Sequence, residues 1–153
     1  MTDADAALAH YATDLADAVD AALPGWVERC VRSVAGAQAV DVDEAALGAA
    51  ADAARTDGAT RLRALLATDI DRQVGSPLSI LRSLVRHPTE VLRAAGAVPV
   101  PRDDFAVRNF PDDVYGLSPA SFADVDPSLQ DPGMAWGAAK AYVHLARRRA
   151  EGS

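Results

Sequence analysis

The chain has 153 residues, a formal net charge of −7 and a single cysteine. That length fits one domain; the acidic balance disfavours general nucleic-acid binding, because a negative surface repels phosphate; and a lone cysteine excludes an intrachain disulfide framework. Half the residues are hydrophobic, yet 34 are alanine, so the core must rest on few large side chains and on closely packed helices.

Residues 1–5 are acidic where a secretory leader carries basic residues, and no uncharged run reaches the 18 or so residues of a membrane helix. Cytoplasmic placement without membrane contact is therefore expected. Fourteen arginines against one lysine, with the alanine excess, point to a GC-rich bacterial genome. Charge falls in blocks: residues 1–57 are acidic, 58–96 arginine-rich, 97–133 acidic and the last twenty basic. Alternating blocks favour pairing within the chain or with a partner.

A first helix is expected from about Asp3 to Leu23, on the stripe Leu8, Tyr11, Leu15, Val19 and Ala22. Pro24 should end it and open a second helix, to Ala35, with Val27, Cys30, Val31 and Val34 on one face, Trp26 beside them and Gly36 as terminator. A longer helix should start near Asp41 or Asp43, with Asp41 and Glu44 as a capping box, and continue through Leu47, Ala51, Ala54, Gly58, Leu62, Leu65 and Ile70 to Val74. Gly58 marks either a kink or a close helix crossing; a split near Thr56–Gly58 is the main alternative. Ser76-Pro77 restarts a helix carrying Leu78, Leu81, Leu84 and Val85. His87-Pro88-Thr89-Glu90 ends it and begins a short one through Ala95, stopped by Gly96.

Residues 97–133 differ in kind. They hold six of the nine prolines and all three phenylalanines. Phe105, Phe110, Tyr115, Leu117 and Phe122 favour burial, so an ordered arm is expected, with one or two single-turn helices and a helix near Asp103–Asn109. A final helix from Asp131-Pro132 to about Ala150 carries Trp136, Lys140, Val143 and His144, with a small-residue strip at Gly133, Gly137 and Ala141. No strand signal competes. The expected fold is all-α: one domain over residues 1–153, an irregular bundle of five to six helices (3–96), a Pro- and aromatic-rich arm (97–131) and a C-terminal helix (132–150).

No phosphate loop, dinucleotide fingerprint, nucleophile elbow or paired Cys-x-x-Cys is present, and no two histidines stand at metal-ligand spacing. No cofactor, metal or catalytic residue is therefore assigned. Asp112, Asp113, Asp124, Asp126 and Asp131 could supply oxygen ligands, but lack calcium-loop spacing. Cys30, on an apolar helix face, reads as an inert thiol. His87 reads as a helix-junction residue and His10 as a surface or boundary one.

The leading functional expectation is a non-enzymatic interaction or regulatory protein working through the arm, with a protein partner or self-association as a homodimer. The alternative is a small-molecule binder or cofactor-independent enzyme with a pocket between the arm and the C-terminal helix. Both draw on Arg102, Phe105, Arg108, Phe110, Tyr115, Phe122, Trp136, Lys140 and His144. A third reading takes Arg61, Arg63, Arg72, Arg82, Arg86 and Arg93 as a surface for an acidic partner.

Overall fold

The computed structural model describes residues 3–67, 77–129 and 148–152. In chain order these form α1 (Asp3–Gln38), α2 (Glu44–Ala67), α3 (Pro77–Ser83), α4 (Arg86–Ala94) and α5 (Asp104–Asn109), followed by a single 3-10 turn at Phe122–Asp124. There is no strand among the described residues, and the class is all-α. The stretch expected to carry the second long helix from 68 to 74, and all but the last turn of the C-terminal helix, lie outside the described residues.

Pro24 does not end the first helix. It sits inside α1, which runs on through Gly36 to Gln38. An interior proline costs about 3 kcal/mol in lost hydrogen bonding and ring clash. Against that stands an apolar stripe that crosses it unbroken: Leu15, Val19, Leu23, Val27, Val31 and Ala35 recur every fourth residue, and all are buried. Each large member contributes about 1.5–3 kcal/mol on burial, so the stripe outweighs the proline several times over.

The helix closes instead at Ala39, which takes a positive φ of 53°. The Val40 N–H reaches the Ala35 carbonyl at 3.0 Å and the Ala39 N–H reaches Gly36 at 3.3 Å, the paired bonds of a Schellman cap. The Gln38 side-chain amide fastens this corner to the arm. It donates to the Val98 carbonyl and accepts from the Val98 N–H, both at 2.8 Å. Alanine in the left-handed region is strained relative to glycine, so Ala39→Gly is expected to raise the unfolding free energy by about 0.5–1 kcal/mol, after the entropy that glycine adds to the unfolded chain. Chemical denaturation of the two proteins measures it.

Asp43, not Asp41, caps α2: its Oδ1 accepts from the N–H groups of Ala45 and Ala46 at 3.0 and 3.3 Å. Glu44 turns away to pair with Arg32, at 2.9 Å. α2 lies antiparallel to α1, because the ties between them descend one helix as they climb the other: Arg32 with Glu44, Asp20 with Arg55, Asp17 and Asp20 with Arg63. Arg63 of the arginine-rich block thus meets Asp17 and Asp20 of the acidic block, while Arg32 and Arg55 pair within the acidic block itself. Gly58 is the crossing point rather than a break. α2 is continuous through it, and a Cβ there would stand 2.6 Å from Leu23 Cδ1 and 3.0 Å from Leu84 Cδ1.

Pro77 opens α3, which ends at Ser83 with a turn at Leu84–Val85; α4 then begins at Arg86, ahead of Pro88 rather than at it. Gly96, at φ 83°, terminates α4 with the same Schellman pair: Ala97 N–H to Leu92 O and Gly96 N–H to Arg93 O, both 3.0 Å. α4 packs on both long helices and α3 on α2. The core therefore lies between the α1–α2 hairpin and the α3–α4 corner, with Leu47, Leu62, Leu81, Leu84 and Leu92 fully buried beside the α1 stripe.

The arm contributes Tyr115, Phe122 and Val125 to that same core. The Tyr115 hydroxyl donates to the Ala97 carbonyl at 2.8 Å, and Arg29 of α1 donates to the Val125 carbonyl at 2.5 Å. The expected helix near Asp103–Asn109 is α5, capped by Asp103, whose carboxylate accepts from the Ala106 N–H at 2.7 Å. The 3-10 turn begins after Ser121, and Asp126-Pro127 leads into a tight turn, with Asp126 Oδ1 accepting from Ser128 N–H at 2.9 Å.

Candidate functional site

A groove of about 610 Å³ lies between the α3–α4 corner and the arm. Arg82, in the last turn of α3, bridges its two walls. Its Nε donates to the Pro119 carbonyl at 3.2 Å, and its guanidinium stands 5.5 Å from the centre of the Phe110 ring. Phe110 is fixed from the other side, where Arg102 donates to its carbonyl at 2.6 Å and Phe105 meets it edge-on at 6.3 Å between ring centres. The arm wall is completed by Asn109, Pro111 and Asp112.

α4 forms the opposite wall. Arg86, Thr89, Glu90 and Arg93 line it at three- and four-residue spacing, one face of one helix. Thr89 is only 3% exposed, and its Oγ1 has no hydrogen-bond partner among the described residues. A buried hydroxyl left in that state costs about 1–3 kcal/mol. Asp113, behind the groove, is 5% exposed but fully engaged: its two oxygens accept from the N–H groups of Leu117 and Ser118 at 2.7 and 2.8 Å.

A second cluster lies on the far side of α4. Asp57 of α2 receives Arg86 at 2.8 Å and His87 Nε2 at 3.0 Å, with Arg61 at 4.0 Å. Arg61 also contacts the Ser83 hydroxyl, which donates to the Ile80 carbonyl at 2.6 Å. Burial alone would push the Asp57 carboxyl up; the His87 hydrogen bond and the Arg86 and Arg61 charges outweigh it and hold the group below the ordinary carboxylate range. Its folded value is therefore lower than its unfolded one. The stabilisation is present at neutral pH and is lost as pH falls below about 4, through the folded value. Asp57→Asn should lower the urea midpoint at pH 7 and shrink the fall in midpoint between about pH 4 and pH 3. An equal fall in both proteins would show that the cluster does not drive the acid response.

The sequence-derived site residues scatter. Arg102, Phe105 and Phe110 come together at the groove's arm side, and Arg108 is exposed on α5. Tyr115 and Phe122 are core residues, 4% and 5% exposed, and present no surface to a partner. Phe105, expected to be buried, is 69% exposed. Trp136, Lys140 and His144 lie outside the described residues, as does the pocket expected between the arm and the C-terminal helix. Of the arginine block, Arg61, Arg63 and Arg86 are taken up by ion pairs within the chain, and Arg72 lies outside the described residues. Reading the residues alone missed Thr89 and the Asp57–His87 pair. The i, i+3, i+4 and i+7 run of Arg86, Thr89, Glu90 and Arg93 was the available signal for the groove wall.

Cys30 is half-buried on α1, and burial pushes its thiol up to about 11, against the opposing charge of Arg29. At neutral pH it stays protonated and is a poor nucleophile. Among the described residues there is no cluster of three or more metal-ligating side chains, and no helix long and apolar enough to cross a membrane. No protein-family model, curated protein or solved structure is significantly similar to this chain.

Proposed function

We propose that this is a non-enzymatic interaction protein whose contact element is the arm, and within it α5. The observation that carries the reading is that α5 buries none of its own residues. The three exposed large hydrophobics among the described residues, Val98 at 64%, Phe105 at 69% and Val107 at 49%, all fall on α5 or the segment leading into it. Burying a phenylalanine contributes about 1.5–3 kcal/mol, and Phe105, 69% exposed, realises little of that within the fold beyond its edge contact with Phe110. Aromatic anchors flanked by arginine are the residues that interfaces concentrate, and Arg102 and Arg108 flank Phe105. The occupant this surface favours is a protein with an apolar groove and an acidic rim.

Deleting residues 99–129 would also strip Tyr115, Phe122 and Val125 from the core, so point variants are the test. Phe105→Ser with Val107→Ser should lower the unfolding free energy by no more than about 1.5 kcal/mol, the worth of the Phe105–Phe110 edge contact, and weaken retention of a stoichiometric partner by about tenfold or more. Retention unchanged by both substitutions would remove α5 as the contact. Loss of a homodimer in the variant, measured by sedimentation, would identify the partner as a second copy of the chain.

A further inference from the structure

We propose that the partner of α5 is a second copy of this chain, each copy seating its Phe105 in the other's groove between α4 and the arm. The proposal rests on α5 being the contact element and names what that element contacts. α5 favours an apolar groove with an acidic rim, and this chain carries one. The groove is lined by Val85, Phe110 and Pro111, and at about 610 Å³ it has room for an aromatic side chain. Glu90 and Asp112 stand on its α4 and arm walls, both exposed and without an ion-pair partner among the described residues. Of the arginines on the same walls, Arg86 is matched by Asp57, and Arg82 is held by the Phe110 ring and the Pro119 carbonyl. Arg93 is left against two carboxylates. Arg108, beside Phe105 on α5, is exposed and has no ion-pair partner among the described residues.

Plug and socket lie side by side. The Phe105 ring centre is 6.3 Å from that of Phe110, which lines the groove, yet Phe105 does not line it and stays 69% exposed. When two complementary surfaces are neighbours on one molecule, a single two-fold axis between them satisfies both at once. The assembly then closes as a dimer instead of growing as a chain. Each dimer covers two Phe105 rings and sets two Arg108 side chains toward two acidic rims. The contact on each copy is small, which places monomer and dimer in exchange at about micromolar concentration.

The test is sedimentation velocity of the full chain between about 1 and 200 μM, where a concentration-dependent dimer is expected. Arg108→Glu, and separately Glu90→Lys with Asp112→Lys, should each weaken the dimer by about tenfold or more, because like charges then face each other at both contacts. All three positions are exposed, so the dilute variants should keep the parental Tm. An equimolar mixture of the two variants should restore the dimer: the reversed plug meets the reversed rim, and the parental plug meets the parental rim. A monomer at every concentration overturns the proposal, as does a mixture no better associated than its components. So does a dimer that Phe105→Ser with Val107→Ser leaves intact. Retention of a different protein, lost with those two serines while the chain itself stays monomeric, removes the second copy and keeps α5 as the contact, so the two readings fail separately.

Discussion

Gly58→Val is expected to destabilise the fold by about 3 kcal/mol, the upper end of the usual cost of overpacking a filled core. At this position α1 and the α3–α4 turn close on α2 from two sides. The first added carbon would lie 2.6 Å from one methyl of Leu23 and 3.0 Å from one of Leu84. Both leucines are fully buried, so neither side chain has solvent to swing into, and relief requires the helices to part. Helix propensity works the other way: replacing an interior glycine by alanine gains about 1 kcal/mol. Gly58→Ala should thus fall between neutral and about 2 kcal/mol destabilising, while valine adds two methyls and a stiff χ1 with no further gain. Urea midpoints at constant m-value measure both. Trimming the obstacle checks the cause, since Leu23→Ala with Gly58→Val should cost less than the sum of the single changes. A Gly58→Val protein as stable as the parent would mean that the crossing is wider than 2.6 Å allows.

Asp113→Ala is expected to cost a similar amount, about 2–4 kcal/mol, for the opposite reason: it removes partners rather than adding bulk. One carboxylate, 5% exposed, receives the N–H groups of Leu117 and Ser118 while the chain turns through Gly116 at φ 65°. Alanine would leave both N–H groups without an acceptor inside the protein. Relief from burying a charge returns part of the loss, which sets the lower bound of the range. Asparagine keeps one acceptor oxygen and turns its amide N–H toward the other donor, so Asp113→Asn should fall between the parent and Asp113→Ala. Because Tyr115 lies inside this turn, its near-ultraviolet circular dichroism should weaken along with the Tm. A variant with unchanged Tm and signal would show that the turn is held by its neighbours alone.

The class and most helices were legible in the sequence because they rest on local chemistry. Pro77 opening α3, Gly96 closing α4 and the aspartate-capped α5 all follow from caps and fixed dihedrals within a few residues. At Pro24 local preference and period conflict, and period wins. The four-residue recurrence from Leu15 to Ala35 passes straight through it, and taken as one stripe it gives the 36-residue helix. Ala39 as a left-handed cap had no such signal, since nothing in an alanine announces a positive φ; the Gln38 clamp and two buried helices impose it. The site was less legible than the fold. Asp57 and His87 are 30 positions apart and meet only because α4 packs on α2. Phe105 and Tyr115 look alike in sequence, both aromatics in a proline-rich stretch. Only the three-dimensional path of the arm puts one outside and the other in the core.

That path also sets an order of assembly. The hairpin of α1 and α2 closes across a five-residue loop, and it forms with little loss of chain entropy. The arm's fastenings span far more: 60 positions from Gln38 to Val98 and 96 from Arg29 to Val125. Contacts of such separation form only once most of the chain is in place. On a growing polypeptide the long hairpin is therefore complete while Tyr115, Phe122 and Val125 are still unsynthesised. The core face they cover stays open to water, and to chaperones, until residue 125 has emerged from the ribosome.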